Sequence, residues 1–217
     1  MKTERSCGVL MHITSLPGKY GIGTMGKEAY EFADFLKRSG QSYWQILPTG
    51  PVCAPEFSPY ESTSTFAGNP LFINTDLFSE KHWVPADVLG VHEFFPPSHM
   101  VDYEKAEERI LSKMKAIFAL FQDAAPASER TAFGKFCKDN AGWLDGYALF
   151  AALADYFGTI EWSKWENDIR LRKPAAIAKW GKDLAPQIEF QKYLQFVFSD
   201  QWHRLKKYCN DIGLKIV

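Results

Sequence analysis

The side chains best able to do chemistry gather between Glu56 and Pro70, in Glu56-Phe57-Ser58-Pro59-Tyr60-Glu61-Ser62 through Phe66-Ala67-Gly68-Asn69-Pro70. Aromatic rings offer flat apolar faces to a pyranose. Hydroxyl, amide and carboxylate oxygens satisfy sugar hydroxyls that lose water on binding. The stretch therefore suits a neutral polyhydroxylated ligand, although by composition alone a structural Pro-Tyr loop fits equally well. Glu56 and Glu61 also put two carboxyls in one loop, and a retaining displacement at a sugar carbon needs such a pair about 5 to 5.5 Å apart. A proline-punctuated loop exposes both to water, where nothing raises one pKa and spares the other, so no catalytic role is assigned to them.

A second candidate is Gly21-Ile22-Gly23-Thr24-Met25-Gly26, which spells the dinucleotide-binding glycine pattern between a strand and a helix. Its glycines begin only after Leu16-Pro17-Gly18-Lys19-Tyr20. The acid expected for the ribose is also missing, because Leu47 is followed by Pro48-Thr49-Gly50. A turn-forming role is the better reading. His12, His82, His92, His99 and His203 include no helical pair four apart, and Cys7, Cys53, Cys137 and Cys209 are scattered, so no metal and no disulfide framework is implied. Arg170-Leu171-Arg172-Lys173 with Lys179 and Lys182 is the one basic cluster. Glu161, Glu166, Asp168 and Asp183 surround it, which favours a solvated or internally paired face.

The elements that must position these groups follow from apolar spacing. Gly8 to Leu16, closed by Pro17-Gly18, reads as a strand buried on both faces. Glu28 to Ser39 reads as an amphipathic helix stopped by Gly40, and Tyr43 to Leu47 as a second strand, making residues 1–48 a βαβ unit with a parallel pair. Residues 48–70 form a long proline-, serine- and threonine-rich loop, and Phe72-Ile73-Asn74 a short extended piece. Helical patterns follow over about Tyr103 to Phe121, Glu129 to Asn140, Trp143 to Phe157 and Pro174 to Lys182. A broad apolar stripe from about Pro186 to Ile212 predicts a last helix, with Gly213 as its stop and Leu214-Lys215-Ile216-Val217 opening another strand. The division is thus 1–48, a loop and mainly helical insertion over 49–185, and a helix with the start of a third strand over 186–217.

Composition narrows the function. With 46% apolar and 15% aromatic residues the chain can bury a sizeable core, and a net charge of −1 leaves no footprint for nucleic acid. No run approaches the roughly 18 to 20 apolar residues of a membrane span, and Met1 to Ser6 leads into no signal-peptide core. The expectation is a soluble, cytoplasmic protein with no nucleic-acid or membrane partner.

Several long motifs, in order, resemble the opening of the amylomaltases, the 4-α-glucanotransferases of glycoside hydrolase family 77. They are Gly8-Val9-Leu10-Met11-His12-Ile13-Thr14-Ser15-Leu16-Pro17, Tyr20-Gly21-Ile22-Gly23, Gln41 to Pro48, and Ser58-Pro59-Tyr60 with Phe66-Ala67-Gly68-Asn69-Pro70. The likeness continues through Trp143 to Phe150, Ile169 to Arg172 and Phe190 to Phe196. It implies the N-terminal portion of a (β/α)8 barrel, its first three strands with the third incomplete, carrying a mainly helical insertion. It further implies a cofactor-free enzyme that moves a segment of one α-1,4-glucan or maltooligosaccharide onto another with retention. An Asp attacks the anomeric carbon, a Glu serves as acid and base, and a second Asp holds the distorted sugar.

By the same resemblance, Tyr60 matches the tyrosine that stacks on the glucose before the scissile bond, and Ser58 a serine lining that pocket. Tyr103 aligns with a tyrosine of a secondary glucan-binding groove, and equally suits a plain helix start. Phe57 and Glu61 depart from the family pattern, which has Asp or Asn before Ser-Pro-Tyr and Gln after it. The family's three catalytic carboxylates follow the third barrel strand, so none is assigned within these residues and the chain alone is expected to be inactive. A barrel needs about 250 residues, which points to a longer natural protein. The rival readings are a non-catalytic glucan-binding module and a dinucleotide-dependent oxidoreductase.

Overall fold

The computed structural model of the chain describes residues 5–90 and 100–217. Strands β1 (Gly8–Leu10), β2 (Tyr43–Gln45) and β3 (Lys215–Ile216) form a parallel sheet in the order β1-β2-β3, with Val9 opposite Trp44 and Trp44 opposite Ile216. The helices are α1 (Lys27–Arg38), α2 (Tyr103–Ala124), α3 (Ala127–Asp139), α4 (Ala141–Phe157), α5 (Asn167–Arg170), α6 (Pro174–Asp183) and α7 (Ala185–Asp211). The parallel strand, helix, strand unit and each long helix thus lie where apolar spacing puts them.

The first strand is shorter than the apolar run suggested. After Leu10 the chain leaves the ladder, and Ile13–Ser15 makes a 3-10 turn in which Leu16 N–H donates to the Ile13 carbonyl at 3.1 Å. Ile13 and Leu16 are buried through that turn rather than through pairing, a distinction that apolarity alone cannot make. Nor is β1 covered on both faces: Val9 lies opposite the buried Trp44, whereas Gly8 and Leu10, on the other face, are exposed, Leu10 to 54%. Of the extended piece expected at Phe72-Ile73-Asn74, Ile73 and Asn74 are extended, while Phe72 closes a 3-10 turn over Pro70–Phe72, in which the Asn69 side chain accepts from Leu71 N–H at 3.0 Å and Phe72 N–H returns to the Asn69 carbonyl.

The chain divides into two compact units, Met1–Ala125 with Val197–Val217, and Pro126–Phe196. In the first, α1 turns Ala29, Ala33 and Leu36 to the core and ends at Gly40, whose φ of 73° is the left-handed conformation glycine adopts freely. α2 begins at Asp102, whose carboxylate accepts from Lys105 N–H at 3.1 Å, and buries Ala106, Ile110, Met114 and Ile117 along one stripe. The last part of α7 buries Leu205 and Cys209, and burial pushes the Cys209 thiol up to about 11.

Polar groups inside this unit are paired. Gln201 exchanges two hydrogen bonds with the Asn74 backbone: Asn74 N–H donates to Oε1 at 2.8 Å, and Nε2 donates to the Asn74 carbonyl at 2.9 Å. The Asn74 side chain donates onward to Thr24 Oγ1 at 2.8 Å. Tyr20 O–H donates to Asp76 at 2.5 Å and accepts from Thr75 at 3.0 Å; burial and the Asp76 carboxylate push its pKa up.

The second unit is helical, around Ala152, Leu153, Trp165, Ile169, Trp180 and Leu184. Phe157 stacks on Trp165 at 5.6 Å, and Tyr156 meets the Trp180 ring edge-on at 4.8 Å. Three side chains of the basic cluster are tied within this unit. Lys173 pairs with Asp168 at 2.7 Å, Arg170 donates to Asn167 and to the Ser163 carbonyl, and Lys179 lies over the Trp180 ring.

The Gln201 pairing makes a stability prediction. Gln201→Ala strands a buried backbone N–H and C=O at Asn74 and is expected to cost about 2 to 4 kcal/mol. Lys207→Ala, which removes an exposed ion pair on the same helix, should stay within about 0.5 kcal/mol of wild type. Urea denaturation of the two variants checks this, and equal midpoints would remove the pairing from the stability of the unit.

Candidate functional site

The long loop leaves the carboxyl end of β2, and in open α/β sheets that end of the strands is where ligands are held. Its start is fixed by two bonds from β2 and the residue stretch after it. Trp44, fully buried, donates its indole N–H to the Met11 carbonyl at 2.7 Å, and Leu47 N–H donates to His12 Nδ1 at 3.2 Å. The loop then folds on its own small side chains. Ser62 Oγ donates to the Ser64 carbonyl at 2.9 Å, while Ser64 Oγ accepts from Phe66 N–H at 3.2 Å and Ala67 N–H at 3.1 Å. Asn69 N–H closes the loop on the Thr49 carbonyl at 2.8 Å. A Cβ on Gly50 would meet Ser62 Oγ at 2.4 Å, and one on Gly68 would enter the Phe198 ring at 2.0 Å, so both positions require glycine.

At the loop tip Tyr60 is 73% exposed, so its ring stands open to solvent in an otherwise folded loop. Its N–H donates to Ser58 Oγ at 3.3 Å, and Glu61 N–H donates to the Ser58 carbonyl at 3.2 Å. Half-buried Ser58 thus uses its hydroxyl oxygen as an acceptor in the turn that presents Tyr60. Glu56 and Glu61 are both exposed, and neither sits in the apolar surroundings a catalytic acid requires.

Tyr103 opens α2. Its hydroxyl lies 3.2 Å from Thr14 Oγ1, and its ring is stacked on Phe57 at 5.1 Å between centroids and 16° between planes. Phe57 holds φ at 47°, an uncommon conformation for a non-glycine residue, with its N–H on the Cys53 carbonyl at 2.9 Å. The structure thus brings Tyr103 to the loop of Ser58 and Tyr60 through Phe57, a residue sequence reasoning noted only as a departure from pattern. His12 was quoted within a motif but given no role. Its ring is 9% exposed and edge-on to Phe72 at 5.3 Å, and burial lowers its pKa from the ordinary histidine value.

The amides and Cα faces of the glycine pattern are spent inside the protein. Gly23 N–H donates to the Thr14 carbonyl and Met25 N–H to the Phe72 carbonyl; a Cβ on Gly23 would lie 2.0 Å from the Ile13 carbonyl, and one on Gly26 would lie 1.9 Å from the Asn74 amide. These glycines serve close packing, and the dinucleotide reading fails on geometry. Among the described residues no three His, Cys, Asp or Glu side chains gather as a metal site, and no helix is long and apolar enough to cross a membrane. His92 and His99, and the first part of the Met1 to Ser6 segment, lie outside the described residues.

An α/β chain with an aromatic, hydroxyl-rich loop at the carboxyl ends of parallel strands has the form of a ligand-binding enzyme domain. More narrowly, it belongs to the 4-alpha-glucanotransferase family, whose model matches residues 11–217. The 4-alpha-glucanotransferase of Clostridium butyricum is 42% identical over 207 residues, covering 95% of this chain and 42% of the relative. That of Thermus thermophilus is 37% identical over 217 residues, covering all of this chain and 42% of the relative. Among solved structures, the amylomaltase from Streptococcus agalactiae in complex with acarbose superposes with a TM-score of 0.90 at 34% identity, covering 98% of this chain and 42% of that one. The amylomaltase from Corynebacterium glutamicum shares the fold with a TM-score of 0.66 at 18% identity, over 97% of this chain and 29% of that one. The chain therefore spans about two-fifths of the length of the curated relatives it matches.

The Phe57 stack yields a prediction of its own. In a double-mutant cycle of Phe57→Ala and Tyr103→Ala, urea denaturation should return a coupling of about 0.5 to 1.5 kcal/mol, the worth of an aromatic pair. Purely additive losses would mean that the rings touch without holding the loop to α2.

Proposed function

We propose that this chain forms part of a 4-α-glucanotransferase that transfers α-1,4-glucan segments between maltooligosaccharides with retention and without a cofactor. Its role there is to supply the substrate loop rather than the reacting carboxylates. The observation that carries this reading is the exposed Tyr60 on a closed, hydroxyl-rich loop, within a chain that matches the family over residues 11–217. Acarbose bound to the Streptococcus agalactiae relative supports a glucan-like ligand.

Tyr60 stacks on the glucose before the scissile bond, where a sugar flattened towards its transition state gains most from a ring beneath it. Ser58 lines the same pocket and holds Tyr60 through its hydroxyl. Tyr103, with Phe57 against one face, contributes to a secondary glucan groove at the start of α2. Phe57 also makes the pocket rim less polar than the Asp or Asn usual in the family, which bears on acceptor preference.

In the whole protein, β1, α1, β2, the second part of α7 and β3 constitute the opening of a (β/α)8 barrel, with residues 49–185 as loop and helical insertion. The exposed Leu10 on β1 is then covered by further strands. The nucleophile, acid/base and stabilising carboxylates come from outside residues 1–217. The protein works in the cytoplasm on starch- or glycogen-derived glucans, with neither nucleic acid nor membrane as partner.

Maltotriose incubated with the 217-residue chain and with the product of the extended reading frame tests this. Only the extended protein should release glucose together with longer maltooligosaccharides; activity of the short chain alone would return Glu56 and Glu61 to consideration as catalysts. In the extended protein, Tyr60→Ala is expected to lower kcat more than it raises KM, because the lost stacking counts most in the transition state. Unchanged turnover would remove Tyr60 from the site.

A further inference from the structure

His12 sits just past β1, at the sheet end from which the substrate loop departs, and the bond from Leu47 N–H to its Nδ1 joins the two exits at 3.2 Å. That bond settles the tautomer. A backbone N–H can only donate, so Nδ1 must present its lone pair, and in the neutral ring the proton is on Nε2. Burial favours the neutral form, since it disfavours the charged one. The edge-on contact with Phe72 restrains the ring as well.

What remains is an N–H donor that no group among the described residues uses. The ring is only 9% exposed, yet no buried side-chain nitrogen or oxygen among the described residues lacks a partner. Nε2, which makes no hydrogen bond among the described residues, is therefore the part of the ring that reaches water. An asparagine could offer Leu47 the same acceptor with fewer atoms. The additional ring atoms serve to carry a donor, oriented in advance, to the surface at the carboxyl end of the sheet.

We propose that His12 is a substrate-binding residue, its Nδ1 held by Leu47 and its Nε2–H donated to a hydroxyl oxygen of the bound glucan. This rests on the glucan-transfer reading above and adds to the site a polar contact from the segment just past β1, opposite in character to the stacking of Tyr60. A fixed, uncharged donor matches an uncharged hydroxyl and loses little conformational freedom on binding.

The test compares His12→Asn with His12→Gln in the extended protein. Asparagine keeps an acceptor near the Nδ1 position and places no donor at the Nε2 position, whereas glutamine reaches the Nε2 position with an amide N–H. With maltotriose, His12→Asn should lose about tenfold in kcat/KM at nearly unchanged melting temperature, and His12→Gln should recover part of that loss. In the wild-type protein, imidazole 15N spectra should give the Nε2–H tautomer, and its resonance should move on addition of acarbose. Wild-type kcat/KM in His12→Asn, or an Nε2 resonance unmoved by acarbose in an active protein, would overturn the role of His12 alone. A wild-type extended protein inert to maltotriose would instead overturn the reading of function on which it rests.

Discussion

The donation of the Trp44 indole N–H to the Met11 carbonyl is the constraint on which the site depends. Trp44 lies on the central strand with no exposed surface, and a tryptophan can be buried so completely only if its one polar atom finds a partner. The partner belongs to the stretch just beyond β1. Burying the largest apolar side chain and aligning the exits of β1 and β2 are therefore one event. The Leu47 bond to His12 adds a second tie at the same place, so the loop leaves the sheet from a fixed start.

From that start the loop is shaped by small groups more than by apolar burial. Serine hydroxyls take backbone amides, Asn69 closes on Thr49, and glycines at positions 50 and 68 permit approaches that no Cβ would allow. The loop is thus ordered without burying its aromatic tip, and Tyr60 stays open. The order comes from hydrogen bonds that would otherwise be made to water, and the exposed ring keeps the contact surface a sugar requires. Phe57 departs from this scheme. It accepts an unusual backbone conformation and in return meets Tyr103 face to face, linking the loop to α2.

The helical unit of Pro126–Phe196 illustrates a different balance. Its core sets the rings of Trp165 and Trp180 among aliphatic side chains, with Phe150 and Phe157 packed against them, and such rings bury much area per residue. Arg170, Lys173 and Lys179 of its basic cluster engage a neighbouring acid, amide and carbonyl oxygens and an indole ring, so much of a charge cluster that could suggest a polyanion partner is consumed locally.

Periodicity alone was enough to locate α1, α2, α3, α4, α6 and α7, because each carries an apolar stripe long enough to identify itself. The parallel pair of β1 and β2 followed from the length of the segment joining them. Motif order likewise led to the family, since Ser58-Pro59-Tyr60 and the motifs around it survive as local sequence. The end of β1 at Leu10, the 3-10 turns at Ile13 and Pro70, and the packing of Gly23 and Gly26 against distant backbone were decided by tertiary structure. So were the Phe57 stack on Tyr103 and the tautomer of His12. Each of these depends on which partner stands opposite a group in space, and that partner is remote in the chain, so no local spacing encodes it.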